Sequence, residues 1–219
     1  MLKGLFVAFV CLTSTSLLAS QADNPDIREV LVFGTKEQKE KLPGSGTHIG
    51  PSRLAKQDYS DLNEVLSSAP GVYVREEDAF GLRPNIGIRG ATSDRSQKIT
   101  LMEDGVLITP APYSAPAAYY ITNASRLYSV EVLKGPSAIQ AGPHTVGGAV
   151  NLITRPVPTQ DINEVELTTG TDSFHKVAGS AGRVNDSFGF LLSALSYGSE
   201  GFKQLDGGGI PGLFGMISI

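Results

Sequence analysis

A single cysteine, Cys11, stands among the 219 residues, so the chain has no internal disulfide and no cysteine pair for metal or redox chemistry. Tryptophan is absent, and the three histidines, His48, His144 and His175, are scattered without metal-ligand spacing. No nucleophile motif accompanies them. G-x-S-x-G and the P-loop pattern are missing. Gly44-Ser45-Gly46-Thr47-His48-Ile49-Gly50 spells G-x-G-x-x-x-G, one residue too long for a dinucleotide fingerprint and without a strand–turn–helix frame, and is read as a linker turn. Basic residues are outnumbered, 18 against 22 acidic ones, so no basic surface argues for nucleic acid. No apolar run reaches the ~20 residues of a transmembrane helix. These absences point away from an enzyme, a cofactor protein and a nucleic-acid binder.

What is present is turn chemistry and short strands: Gly 25, Pro 13 and 41% apolar residues. Residues 1–22 read as a secretory signal peptide, with Lys3, the apolar run Leu5 to Leu12, and small residues at Ser20 and Ala22 before Asp23. A polar linker, 23–46, follows. It contains one β-prone segment, Glu29-Val30-Leu31-Val32-Phe33-Gly34, which in isolation reads as an edge strand. Ser60 or Asp61 caps a helix with Leu62, Val65 and Leu66 on one face, and Pro70-Gly71 stops it. Strands are expected at Val72 to Val74, Asn85 to Arg89 and Ile99 to Met102. Asp104-Gly105 then forms a two-residue hairpin turn into Val106 to Ile108.

The most organised stretch runs from Val130 to Arg155. Val130 and Val132 alternate with Glu131 in a half-buried strand, and Gly135-Pro136 breaks it. Ser137 is placed to cap a short helical turn over Ala138 to Gln140. Gly147-Gly148 supplies backbone free to take positive φ or to lie against another chain segment, and Ala149 to Ile153 is a second strand. By itself this is a glycine-rich hairpin. After Pro158, strands at Glu164 to Thr169, Phe174 to Val184 and Phe188 to Tyr197 alternate, with Asn185-Asp186 as a tight turn. Phe188, Phe190, Leu192 and Ala194 lie on one face; Leu191, Ser193 and Leu195 lie on the other. Either a membrane barrel or a soluble β-meander gives this pattern.

Together the motifs resemble the plug domain of TonB-dependent outer-membrane receptors. They are L-x-x-V-L-x-x-x-P-G-V from Leu62 to Val72, Ile88-Arg89-Gly90, Leu101-Met102-Glu103-Asp104-Gly105, Glu131 to Pro136, Gly147-Gly148 and Asn151-Leu152-Ile153-Thr154. Ala141 stands where that family carries a tyrosine before Gly142. The resemblance covers about residues 28 to 157 and implies an α+β plug domain, a small mixed sheet with short helices. The first antiparallel strands of an incomplete transmembrane β-barrel would follow it. The domain reading is 1–22 signal, 23–46 linker, 47–157 plug, 158–205 first barrel strands and 206–219 an atypical tail without strand alternation.

The resemblance also implies roles. Glu29, Val30, Leu31, Val32, Phe33 and Gly34 become a TonB box, which pairs with TonB of the inner-membrane energising complex by strand addition. Thr109 to Tyr120, with three prolines and three tyrosines, becomes an apical loop touching a ferric chelate; taken alone it reads equally as a packed surface loop. Arg83, Arg95, Tyr113, Tyr119 and Tyr120 are the candidate ligand contacts, with no direct metal ligand. The A-P-Y-x-x-P spelling is nearest the ferric dicitrate branch, although Ala115, Ala117 and Ala118 replace the polar residues of that branch. Arg89 and Lys134 are the candidate plug–barrel contacts, expected to stay solvated in a chain without the facing wall. Plugged barrels have about 22 strands, so the chain reads as the N-terminal part of a receptor, cut short. The expected location is the outer membrane for the intact receptor and the periplasm for this chain, which is expected neither to transport nor to insert stably alone. The rival reading is a stand-alone soluble periplasmic plug-type binding module; a secreted hydrolase is a distant third.

Overall fold

Asp61 opens the first clearly encoded element. Its Oδ1 accepts the backbone N–H of Asn63 at 2.7 Å, and the helix Leu62–Ser67 (α2) buries Leu62, Val65 and Leu66. The structure, a computed structural model, describes residues 44–77, 81–108, 120–185 and 187–200, and the backbone of 212–218. Before α2 lie a strand, Ser45–Ile49 (β1), and a helix, Pro51–Gln57 (α1). Proline at the first helical position sets the φ that α1 needs and forfeits no hydrogen bond there. After α2 come Val72–Arg75 (β2), Asn85–Ile88 (β3), Ile99–Glu103 (β4) and Val106–Leu107 (β5). Leu127–Lys134 (β6) and Gly148–Thr154 (β7) follow.

Five of these strands form one sheet in the order β1-β6-β7-β4-β5. β4 and β7 run parallel, and the other pairs are antiparallel. The register puts Ile49, Val130, Val132, Val150, Leu152, Leu101 and Ile99 on one face. That face meets α2 and the β2–β3 hairpin in the main core, with Leu54 of α1 at its margin. On the other face Leu133, Ala149 and Met102 pack under a 3-10 turn, Pro136–Ala141, through Ala138 and Ala141.

Two local expectations fail. The Gly44 to Gly50 stretch is not a linker turn: it forms β1, paired along its whole length with β6, and so crosses the boundary drawn after residue 46. Its glycines are tolerated because an edge strand takes its register from its partner. Ser137 caps nothing; its Oγ is buried with no hydrogen-bond partner among the described residues, and Gly135, at φ 97, begins the turn instead. Gly148 meets its expectation. Its φ is 148, and a Cβ there would press into the Leu133 carbonyl oxygen, so β6 and β7 approach as closely as they do only because no side chain intervenes.

A second sheet, ordered β11-β10-β9-β8, is wholly antiparallel and comprises Ile162–Thr169 (β8), His175–Val184 (β9), Gly189–Ser199 (β10) and Gly212–Ser218 (β11). The tail is therefore not without a strand. β11 pairs with Ser193 to Ser199 of β10, where backbone groups at a sheet edge supply the register that local alternation does not. At the β9–β10 turn Asn185 Oδ1 accepts the N–H groups of Ser187 and Phe188. On one face of β8–β10 Val165, Leu167, Val177, Phe190 and Leu192 are exposed. The opposite face carries Glu164, Glu166, Lys176, Ser180, Ser193 and Tyr197, together with Leu191 and Leu195, and is turned toward the first sheet. Among the described residues no helix is long and apolar enough to cross a membrane, which leaves strands untouched as a means of crossing.

Candidate functional site: loop anchors and the seam between the two sheets

The Asp104-Gly105 turn is held by the strand that follows Gly147-Gly148. Both turn residues have positive φ, 49 and 78. Asp104 Oδ1 accepts the Thr154 N–H at 2.8 Å and Oδ2 accepts the Thr154 hydroxyl at 2.7 Å. Asn151 Oδ1 accepts the Gly105 N–H at 2.9 Å, while its Nδ2 donates to Glu131 Oε2 at 3.4 Å. Asn151 and Glu131 are both buried. This polar knot fixes the turn between β4 and β5.

Tyr120 is clamped to the end of β4. Its hydroxyl donates to Glu103 Oε2 at 2.6 Å, and the Thr122 hydroxyl donates to the same oxygen at 2.6 Å. Arg126 stands 3.6 Å from Glu103 Oε1. Burial, reinforced by the bond to Glu103, pushes the Tyr120 phenol above its ordinary value. Tyr120 thus anchors the loop stem; its hydroxyl is already engaged.

The two arginines are gathered elsewhere. Asn85 Oδ1 accepts the Arg95 N–H at 2.9 Å, and Asn85 Nδ2 points to the carbonyls of Arg75 and Arg83, at 3.2 and 3.5 Å. Buried Ser96 locks the same corner, accepting from Ile86 N–H and donating to Pro84 carbonyl, both at 2.9 Å. The side chains of Arg83 and Arg95 are exposed. So Arg83 and Arg95 share one anchor, Asn85, and Tyr120 has another, Glu103. Tyr113, Tyr119 and the 29–34 segment lie outside the described residues.

Of the two candidate contact cations, Arg89 is exposed, and Lys134 requires a correction. Lys134 is buried at 4% exposure. Its Nζ donates to Thr47 Oγ1 and to the Pro70 carbonyl, both at 2.8 Å, so its ammonium is used inside the first domain rather than solvated. Burial, and then the nearby Arg89 charge, lower its pKa. The contacts between the sheets come from residues that the sequence reading passed over. Lys176 of β9 reaches Asp58, the residue that ends α1, at 2.9 Å. Asn123 Nδ2 donates to Tyr197 Oη at 3.3 Å. Arg155 lies 2.7 Å from Glu164 and 3.5 Å from the Ser180 hydroxyl. The available signal was a lone lysine on the polar face of an otherwise small-residue strand. Among the described residues no group of His, Cys, Asp or Glu is placed to hold a metal.

A mixed sheet locked by these motifs, with an antiparallel sheet laid against it, is the arrangement that the resemblance implied. The family model described as TonB-dependent Receptor Plug Domain matches residues 38–149, about half of the chain, and the chain belongs to that family. Among curated proteins it is similar to the vitamin B12 transporter BtuB of Photobacterium profundum, 25% identical over 203 residues, 92% of this chain and 32% of that protein. The BtuB of Vibrio vulnificus (strain YJ016) is 28% identical over 198 residues, 88% of this chain and 31% of that one. Among solved structures it is similar to the unliganded ferric citrate transporter FecA, at TM-score 0.59 and 25% identity over 78% of this chain and 28% of that one. The siderophore receptor PirA of Acinetobacter baumannii gives TM-score 0.59 and 25% identity over 77% of this chain and 26% of that one. The chain thus spans about a third of the length of the curated relatives it matches. Each of these four is named as a transporter or a receptor.

Proposed function

We propose that the chain carries the secretion signal, TonB box, plug and first wall strands of an outer-membrane receptor for energy-coupled uptake of a ferric chelate, ferric dicitrate or a siderophore. Residues 1–22 direct secretion, and 29–34 add as a strand to TonB, whose inner-membrane complex supplies the proton-gradient energy that displaces the plug. The chelate sits against the loop stems around Tyr120 and against Arg83 and Arg95, where positive charge meets an anionic complex. No covalent chemistry is involved.

The observation that carries this reading is the two-sidedness of β8–β10. Val165, at 79% exposure, and Leu167, Phe190 and Leu192 face outward, while Lys176 and Tyr197 face the plug and are buried. Apolar outside and polar inside is what a strand between lipid and a filled barrel interior requires. A stand-alone soluble module has no use for that outer face.

Because the chain lacks tryptophan, Leu192→Trp installs a single depth reporter. In detergent micelles its fluorescence is expected to be quenched when the detergent carries bromine on its alkyl chain; an emission unaffected by the bromine overturns the wall reading. Val32→Pro removes a donor from the 29–34 segment and fixes φ. Retention of the chain on an immobilised periplasmic TonB domain is expected to be lost, and undiminished retention overturns the box. Titration with ferric dicitrate, a ferric hydroxamate and cyanocobalamin separates the ligand classes; binding of cobalamin alone refutes the chelate.

A further inference from the structure

Lys176 is buried at 3% exposure on the plug-facing side of β9. Its ammonium has two carboxylates, and they belong to different bodies. Asp58 Oδ1, at 2.9 Å, is on the plug; Glu166 Oε1, at 2.5 Å, is on the neighbouring strand β8. Asp58 is held in place by its own backbone. It ends α1 in the left-handed region, φ 45, with its N–H on the Leu54 carbonyl at 2.8 Å. Across β10, Tyr197 is the register partner of Lys176, and its hydroxyl receives Asn123 of the plug. The seam therefore closes at one row of the wall, through one charged and one neutral contact. The Arg155 contact differs, because Arg155 directly follows β7 and stays near β8 by chain connection whatever the plug does.

A buried ammonium stripped of its counter-ion is strongly disfavoured. If Asp58 were its sole partner, moving the plug would break its only ion pair. Glu166 removes that obstacle. We infer that Asp58, Lys176 and Glu166 form a plug-positioning latch with a stand-in anion: Asp58 sets the plug against the wall, and Glu166 keeps Lys176 paired when the plug moves away. This rests on the reading of β8–β10 as wall strands. The latch holds the plug by competition between two carboxylates for one cation, so its grip is set by Glu166 as much as by Asp58. Both carboxylates are about half exposed, at 50% and 46%, so each is solvated when it lets go.

The signature is a pair of substitutions with opposite signs. In the 219-residue chain in detergent micelles, hydrogen exchange of the backbone amide at position 58 reports the plug side of the seam. Asp58→Asn is expected to accelerate it at least about 3-fold. Glu166→Gln frees Lys176 for Asp58 alone and is expected to slow it by a similar factor. A purely structural role for Glu166 accelerates exchange in both variants, and that result overturns the latch. Acylation of Lys176 by an amine-reactive ester, read by mass spectrometry, tests the stand-in. Either single substitution is expected to raise the rate no more than about 3-fold, and the double substitution at least 30-fold. Asp58→Asn with Glu166→Asp, which keeps a carboxylate on the wall, is expected to stay near the single variant. A double-variant rate equal to the product of the two single effects refutes substitution of one anion for the other. Amide protection in β6 and β7, measured in the same samples, confirms that the plug remains folded; should the double variant lose it, the two single substitutions decide by their signs. Failure of the Leu192→Trp experiment with these results intact removes the wall reading and the plug-positioning role with it, leaving only the competition of the two carboxylates for Lys176.

Discussion

Replacing Asn151 by Asp changes one amide nitrogen into an oxygen inside the polar knot beneath the Asp104-Gly105 turn. That nitrogen now donates to Glu131 Oε2 at 3.4 Å, and both residues are buried, Asn151 completely. Two carboxylates at that separation in a closed site do not both remain ionised, so the pair must hold a proton that the unfolded chain would release. Binding it costs about 1.4 kcal/mol per pH unit above an ordinary carboxyl value of ~3.9, or about 4 kcal/mol at pH 7. The sign follows from the raised folded value: stability is intact below ~pH 4 and is lost as pH climbs toward the folded value. Asn151→Ala also costs about 2.5–4 kcal/mol, because one bond to Gly105 N–H and one to a carboxylate disappear, but it adds no second carboxylate. Urea unfolding of the three proteins, followed by circular dichroism at pH 5 and 7, separates the cases. The Asp variant is expected to recover about 2.7 kcal/mol relative to wild type at pH 5, and the Ala variant less. A pH-independent deficit in the Asp variant refutes the picture of a proton shared between positions 131 and 151.

Three further outcomes are expected. Gly148→Ala should lower the stability measured by urea unfolding by more than about 3 kcal/mol, because its Cβ meets the Leu133 carbonyl at φ 148; Gly71→Ala, at φ 76 with open space around it, should cost only ~1–2 kcal/mol. Lys134 has a lowered pKa, so the unfolded chain binds a proton that the folded one sheds, and stability should rise as pH climbs from the folded value toward 10.5; Lys134→Met should abolish that rise in melting curves taken from pH 7 upward. Asp104→Ala loses both bonds to Thr154 and a residue type that tolerates positive φ, a cost of about 2–3 kcal/mol, and Asp104→Asn should retain most of it in the same assay.

The elements that were legible carry their own instructions. Asp61 caps α2 from two residues away, and Asp104-Gly105 needs no distant partner to turn. β1 and β11 were not legible, for one shared reason. Each lies at a sheet edge or pairs with one, and each takes its register from a strand far along the chain, β6 or β10. Gly44 to Gly50 and the glycine-rich tail look like turns to any rule that reads neighbours. α1 escaped notice because only Leu54 joins the core margin, so no apolar period marks the helix, and its start depends on Pro51. The cations were harder still. Lys134 sits at a strand end like a surface residue, yet Thr47 and Pro70 bind its ammonium from two distant parts of the chain. Lys176 sits in a strand of small residues and is buried by a plug carboxylate that no local pattern announces.

The motifs that carry the resemblance are legible in a different sense, since they recognise one another. Asp104 of the D-G turn binds Thr154, and Asn151 of the same N-L-I-T strand binds the next residue of the turn, Gly105. Gly148 of the double glycine leaves room for Leu133 of the E-V-L-K strand, and a Cβ there would also touch Ile88 of I-R-G. A Cβ on Gly135, which follows that strand, would meet the guanidinium of Arg89. Motifs separated in the chain are thus two halves of single contacts, closing around the parallel pair β4–β7. Their order in this chain then has a mechanical origin: the D-G turn ends the strand that lies parallel to N-L-I-T, and only a glycine at 148 lets that strand start beneath Leu133. A change in one motif therefore demands an answering change in its partner. Asp104→Ala removes both bonds and Thr154→Val removes the hydroxyl bond they share, so the two are expected to be less than additive when combined. Full additivity in urea unfolding would mean that the two motifs stand side by side without holding each other.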